Sequence, residues 1–272
     1  MTENAVRLEL AREEKSISSV EIHHDVSPSE FMAQGLQLEE AQVRLQHDID
    51  TLGPHSTDLQ CSKVQAQANH IQHKIKAWID VQKVYMPKTA LLRARDDDCH
   101  AVGKDIQPSK IPLYLPSTAL RLNAIDLMMQ KAIIDDERHL HLAQANDTLA
   151  LLHDHLLLKS YLMMWQQLFS QGQHHGTKAN TLIHRVNEKI AADIARYQRT
   201  YVAIETLSVK LNWFEWQGIL QSLKEEHRAI AIWHGFGKLI FKVDRKASRK
   251  RCELSGASLG LEPSSGKKNA NC

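Results

Sequence analysis

LAQANDTLALLHDHLLLKSYLMMWQQLFSQGQHHGTKANTLIHRVNEKIAADIARYQRTY, residues Leu142 to Tyr201, decides the fold of this chain. Leu142, Leu149, Leu156 and Met163 recur every seven residues, with Ala145 and Leu152 between them at three-four spacing. Further on, Ile183, Ile190, Tyr197, Ile204 and Leu211 again recur every seven, and Val186, Ile194, Tyr201 and Leu207 widen that stripe. A helix of about 3.6 residues per turn returns such positions to one side. A sustained seven-residue repeat favours coiled-coil packing. Between the stripes, Ser170 to Thr177 is polar and holds Gly172 and Gly176. Glycine ends helices without a steric penalty, and so short a connection makes the two helices antiparallel neighbours. The expected seam consists of Leu149, Leu156, Ile183, Ile190, Tyr197 and Ile204. Taken singly, each of these residues reads as ordinary core packing.

Composition extends the helical reading to the whole chain. The 272 residues suffice for one large or two small domains, and 43% hydrophobic content supports a core. Gly 11 and Pro 7 are low for this length, which favours helices. The net charge of +2 excludes a general polyanion binder, but it is unevenly placed. From Gly237 on, nine basic side chains face three acidic ones, a surplus of six, so the remainder carries −4. Cys61, Cys99, Cys252 and Cys272 have no pair spacing, so they build neither a zinc knuckle nor a disulfide framework and fit a reducing compartment. The charged N-terminus is not a signal peptide. No stretch reaches the roughly 18 uncharged apolar residues of a membrane span.

Ahead of the hairpin, Glu3 to Val20 reads as a first helix with Val6, Leu10 and Ile17 on one side. Ser27-Pro28-Ser29-Glu30 is a helix start, with Ser27 as cap, Pro28 in the first turn and Glu30 completing a capping box. Phe31, Leu36, Leu38, Leu45, Ile49 and Leu52 follow at helical spacing until Gly53-Pro54 breaks or kinks the element. Val64, Ala68, Ile71, Ile75, Trp78 and Tyr85 mark a second long helix, stopped at Met86-Pro87. Residues 88–117 read as a linker carrying Asp96-Asp97-Asp98 and three prolines. Its end, Ile111 to Ser117, suits an extended strap across a helix surface. Ala119 to Asp135 reads as one more helix with Leu122, Ile125, Met129 and Ile133 inward. Trp213, Trp216, Leu220 and Leu223 suggest a short terminal helix docking by its aromatics.

Several of these phrases, in this order, resemble the C-terminal helical region of fungal Kyakuja-Dileera-Zisupton (KDZ) transposases. Ser27 to Glu40 is similar to the family's S-P-x-x-F-L-x-x-G-L-x-L-E-E. Thr57-Asp58-Leu59-Gln60 matches T-D-L-Q, and Trp78, Val81, Gln82 and Val84 to Pro87 match W-x-x-V-Q-x-L-Y-M-P. Ile111 to Ser117 resembles I-P-L-x-L-P-S-S. Ala143 to Leu149 resembles R-E-G-Q-A-N-D-A-L, and Gln171-Gly172-Gln173 through Ile183 resembles R-G-Q-x-x-N-T-R-x-x-T-L-I. The resemblance covers roughly residues 3–230. It implies a piece of a DNA transposase that works in the nucleus. In full-length members a cysteine-cluster domain and a ribonuclease-H-like catalytic domain precede this region. The chain is therefore expected to be a truncated copy without the catalytic carboxylates. It also departs from the pattern: Gln166-Gln167-Leu168-Phe169 stands for K-D-R-F and Gln171 for arginine, which removes the basic residues at both places.

The residues offer no independent chemistry. Transposition needs carboxylates converging on two metal ions about 4 Å apart, and no run of β-branched residues could build the sheet that carries them. Asp96-Asp97-Asp98 reads as a solvated loop, and Asp135-Asp136-Glu137 as acids favouring a helix start. His70 and His73 could share a face but lack a third ligand, while His139/His141 and His153/His155 point to different faces. No P-loop, dinucleotide fingerprint or serine elbow occurs. Catalytic residues, metal and cofactor are thus all expected to be absent, with no small-molecule substrate. Arg185, Lys189, Arg196 and Arg199 are the candidate DNA contacts, and equally suit the solvated face of a coiled coil. Lys242, Arg245, Lys246, Arg249, Lys250 and Arg251 form a candidate nuclear-import patch in a tail whose composition predicts disorder.

The expected architecture is all-α. A long-helix region spans 1–87, a strap-bearing linker 88–117, a helical hairpin region 118–235 and a basic tail 236–272. Its expected role is assembly through helix packing, with itself or a full-length transposase. The alternatives are a DNA-associated accessory module and an unrelated coiled-coil scaffold.

Overall fold

Helix-starting side chains and helix-breaking glycine-proline pairs set the elements. The structure, a computed structural model, describes residues 2–17, 26–99, 107–124, 131–169 and 173–223. Its helices are α1 (Glu3–Ile17), α2 (Pro28–Thr51), α3 (Asp58–Tyr85), α4 (Thr89–Cys99), α5 (Pro116–Arg121), α6 (Lys131–Phe169) and α7 (Gln173–Leu211). Short 3-10 turns lie at Pro108–Lys110 and Glu215–Gly218, and no strand occurs among the described residues. The all-α expectation holds. The basic tail and its import patch lie outside the described residues, as do Ile125 and Met129.

Two compact units form; the described residues of the first fall within Met1–Leu152 and Ala191–Ser222, those of the second within His153–Ile190 and at Leu223. In the first, α2 and α3 are separate helices divided at Gly53-Pro54. Ser27 caps α2 by accepting the Glu30 N–H, and Thr57 and Gln60 make a reciprocal capping box on α3. The capping box expected at Ser27 is incomplete, because the Glu30 carboxylate accepts from Gln34 instead. Phe31, Leu36 and Leu45 of α2 are fully buried with Ile75 and Trp78 of α3. The Phe31 ring stacks on Trp78 at 4.9 Å and on Tyr85 at 5.1 Å. Trp78 donates its Nε1–H to the Phe31 carbonyl at 2.9 Å, so the largest side chain of the interface has no orphaned donor.

Leu113, Tyr114 and Leu115 are buried as the strap crosses this pair. Gln42 Nε2 donates to the Pro108 and Ile111 carbonyls, and Gln82 Nε2 to those of Leu113 and Tyr114. Arg93 donates to the Pro112 and Leu113 carbonyls. Arg93 lies on α4, a helix inside the segment expected to be linker. Asp96 is helical too, and its carboxylate accepts the Tyr114 hydroxyl. The helix expected over Ala119–Asp135 is interrupted. α5 ends at Arg121, Asn123 takes φ 55°, and the Ala124 N–H reaches back to the Ala119 carbonyl at 2.8 Å. Asparagine tolerates this left-handed capping position better than other side chains. Asn212 (φ 52°) ends α7 the same way, with the Trp213 N–H on the Ser208 carbonyl.

α6 and α7 run antiparallel. In the first unit Thr200 Oγ1 donates to Gln144 Oε1, while Glu3 bonds both Asp147 and Arg196. Moving up α6 thus moves down α7. Tyr197 and Ile204 of the expected seam are buried there and Leu149 is half-buried. In the second unit Gln166 Nε2 donates to Asn180 Oδ1 at 2.8 Å. Leu156 and Ile190 are buried in it, and Ile183 is half-buried. Helix α7 starts at Gln173, so Gly176 sits inside it and the turn is shorter than expected. The aromatic end is a 3-10 turn, not a helix. It buries Trp216 edge-on to Tyr201 at 5.2 Å.

A Cβ on Gly35 would stand 2.8 Å from Leu115 Cδ2 and 2.9 Å from Trp78 Cζ2. The tryptophan is held by its stacking and its hydrogen bond. Gly35→Ala should therefore destabilise the protein by about 1–3 kcal/mol through overpacking, although alanine is the better helix former. A urea titration followed by circular dichroism reads the difference.

Candidate functional site

Helix α6 carries Glu137, His141, Gln144 and Thr148 at four-three-four spacing, which places all four on one face. All are buried: Glu137 and Thr148 have no exposure and His141 has 2%. Glu137 accepts both the Ser117 N–H and the Ser117 hydroxyl at 2.7 Å. His141 Nε2 lies 3.4 Å from Glu137 Oε1, and His141 Nδ1 faces Gln144 Oε1 at 3.3 Å. Thr148 donates its hydroxyl to the Gln144 carbonyl at 2.7 Å. A carboxylate sealed from water requires donors or a cation. Ser117 supplies two donors, and the His141 imidazole, a cation when protonated, stands 3.4 Å away.

Burial alone would push the His141 imidazole down. The hydrogen bond and charge of Glu137, followed by Glu39 and Gln144, outweigh it and raise it above its ordinary 6.5. Glu39 of α2 faces this cluster from the side. Burial lifts its carboxyl above the usual range, against the pull of His141 and Arg199.

At the rim of the first unit, Arg199 Nη2 lies 3.2 Å from Glu40 Oε2. Arg196 lies 3.4 Å from Glu3 and 3.8 Å from Glu40. The candidate phosphate contacts therefore divide. Arg196 and Arg199 are half-buried and paired with carboxylates, whereas Arg185 and Lys189 of the second unit are exposed.

What the cluster can do chemically is limited by access and order. A serine nucleophile needs a histidine between it and the acid. Here Glu137 stands between Ser117 and His141, and no substrate reaches any of the three. An open cleft of about 400 Å³ lies beside Glu39, lined also by Gln42, Gln46, Asp50, Ser109 and Arg199. Several of its polar groups are already committed: Gln42 to the strap, Ser109 to Gln46 and Arg199 to Glu40. His70 and His73 are exposed on α3. Among the described residues no three histidines, cysteines or carboxylates gather as for a metal ion. Asp135-Asp136-Glu137 begins one turn inside α6 rather than at its start. The polar spacing 137-141-144-148 is visible in the sequence, but Ser117, which completes the cluster, comes from another helix.

No family model, no curated protein and no solved structure matches the chain.

Two tests follow from the cluster and its neighbour Asp136. Glu137→Ala leaves Ser117 and His141 buried without their partner and should cost about 3–5 kcal/mol in chemical denaturation. Glu137→Gln keeps an acceptor and should cost less. Asp136 is half-buried. Burial first, then Glu14, Asp135 and Glu13, raise its carboxyl from 3.8 to about 7. A raised value means that the fold holds the proton more tightly than the unfolded chain does. Stability is then lost as pH climbs from about 4 through about 7. Asp136→Asn should accordingly raise Tm by a few degrees at pH 8 and leave it nearly unchanged at pH 4, read by thermal melts.

Proposed function

We propose that the chain is a helix-mediated assembly module of a KDZ-type DNA transposase, without a catalytic site of its own, working in the nucleus on itself or on a full-length transposase. One observation carries this reading. Residues from separate phrases of the resemblance contact one another in the first unit. Phe31 stacks on Trp78 and Tyr85, Gly35 abuts Leu115, and Gln82 holds the Leu113 and Tyr114 carbonyls. Phrases spread over more than eighty residues, from Phe31 to Leu115, thus act as one packing unit, which chance similarity of pattern does not require. The buried polar cluster supports the same reading, since its groups are occupied in holding helices together.

A second reading, a DNA-associated accessory module, draws on the exposed Lys178, Arg185 and Lys189, which recur on one side of α7 in the second unit. The two readings part in solution. An assembly module should self-associate, or co-sediment with a full-length transposase, in analytical ultracentrifugation. It should show no magnesium-dependent nicking and little salt-sensitive binding to duplex DNA. A steep loss of DNA affinity with salt would favour the accessory role, and magnesium-dependent nicking that survives repurification would overturn both.

A further inference from the structure

Helix α6 has a second apolar stripe. Leu157, Tyr161, Met164 and Leu168 follow one another at four-three-four spacing within the second unit. They fall within about 60° of each other around the helix. They lie on the side away from the buried Leu156 and Lys159. Their exposures are 56%, 60%, 52% and 62%, and adjacent Leu158 is 43% exposed. Five such side chains present about 500 Å² of apolar surface, at the upper end of what a monomer normally leaves uncovered. The outer face of α7 in the same unit is polar, with Lys178, Asn180, Arg185, Glu188 and Lys189 exposed and Leu182 isolated among them. Among the described residues of this unit the contiguous apolar surface therefore belongs to one helix.

We infer that this stripe pairs with the same stripe of a second copy, antiparallel, so that Leu157 meets Leu168 and Tyr161 meets Met164 across a two-fold axis. The inference rests on the reading of the chain as an assembly module and names the surface that assembles. Three features select a second copy over a different partner. The four-three-four spacing is symmetrical about its centre, so an antiparallel copy matches every apolar position with an apolar position, as an isologous interface requires. Asp154 is the one exposed charged residue on α6 between His153 and Leu168, so the surface offers no pattern by which a charged partner would be chosen. In the antiparallel register the two Asp154 side chains lie at opposite ends, about 25 Å apart and beyond the screening length at physiological salt. Two such patches bury at most about 1,000 Å² together, the lower bound for a specific interface, so a weak dimer, micromolar at best, is expected.

Leu157→Glu and Leu168→Lys test it on the full chain by sedimentation velocity from low to high micromolar concentration. Both positions are exposed, so the thermal melt of each variant should match that of the unaltered chain at dilute concentration. Each variant alone should dimerise at least tenfold more weakly. Mixed, they should recover a heterodimer, because the antiparallel register sets the introduced carboxylate of one variant against the introduced ammonium of the other. A dimer indifferent to both substitutions overturns the stripe as the interface and leaves the assembly reading standing. Weakening without recovery on mixing overturns the antiparallel register. A monomeric unaltered chain overturns self-pairing and, if it also fails to co-sediment with a full-length transposase, the assembly reading with it.

Discussion

The first amides of a helix have no partner within it, and in the first unit three helices find one on a carboxylate from elsewhere. Asp147 of α6 accepts the Glu3 N–H at the start of α1. Glu14 of α1 accepts the Ser29 N–H in the first turn of α2. Glu137 of α6 accepts the Ser117 N–H in the first turn of α5. Each contact satisfies an orphan donor and sets negative charge at the positive end of a helix dipole. Each also joins two separate helices, so the same bond that starts one helix fixes its position on another. α5 shows the dependence most clearly. It is a single turn and a half with no capping side chain of its own, and Glu137 replaces that cap from α6.

The strap obeys the same constraint with opposite polarity. From Pro108 to Leu115 a 3-10 turn and then a non-helical run, with Tyr114 at φ 53°, lie over an apolar surface, and their carbonyls must be met by side-chain donors there. Gln42, Gln82 and Arg93, from three different helices, supply them. The two systems are continuous, since the strap runs directly into α5 at Pro116 and α5 rests on Glu137. Polar residues therefore decide where the helices sit, while apolar burial supplies most of the driving force.

Which parts of this were legible in the sequence follows from range. The seven-residue repeat, the Gly53-Pro54 break and the Ile111–Ser117 strap are local patterns, and each is found where periodicity and proline place it. Helix α4 was hidden because Thr89–Cys99 is charged and short, and its role rests on Arg93 reaching a strap about twenty residues on. The interruption at Asn123 carried a signal, an asparagine after an apolar run, but one that competes with continued helical spacing through Ile133. Arg196 and Arg199 have the spacing of a solvated basic face. Their carboxylates lie 193 and 159 residues away in sequence, so no local pattern separates a paired arginine from a free one. For the same reason Glu137 reads as a dipole-favouring acid until Ser117 is seen beneath it.

The two stripes of α6 pose the remaining question of which face turns inward. Sequence alone does not rank them, because both have heptad-compatible spacing. The choice is made by α7, whose single apolar stripe of Ile183, Ile190 and Val186 can cover one face of α6 and no more. Leu156 and Lys159 are covered, and Leu157, Tyr161, Met164 and Leu168 are left. A lone helical hairpin gains little from an outward Leu-Tyr-Met-Leu face, whereas a polar face would keep it soluble. Polar groups that elsewhere serve recognition are here engaged in capping, in strap carbonyls and in the Glu137–His141 cluster. Among the described residues of the second unit the contiguous apolar surface lies on α6, which is the form that pairing between helices requires.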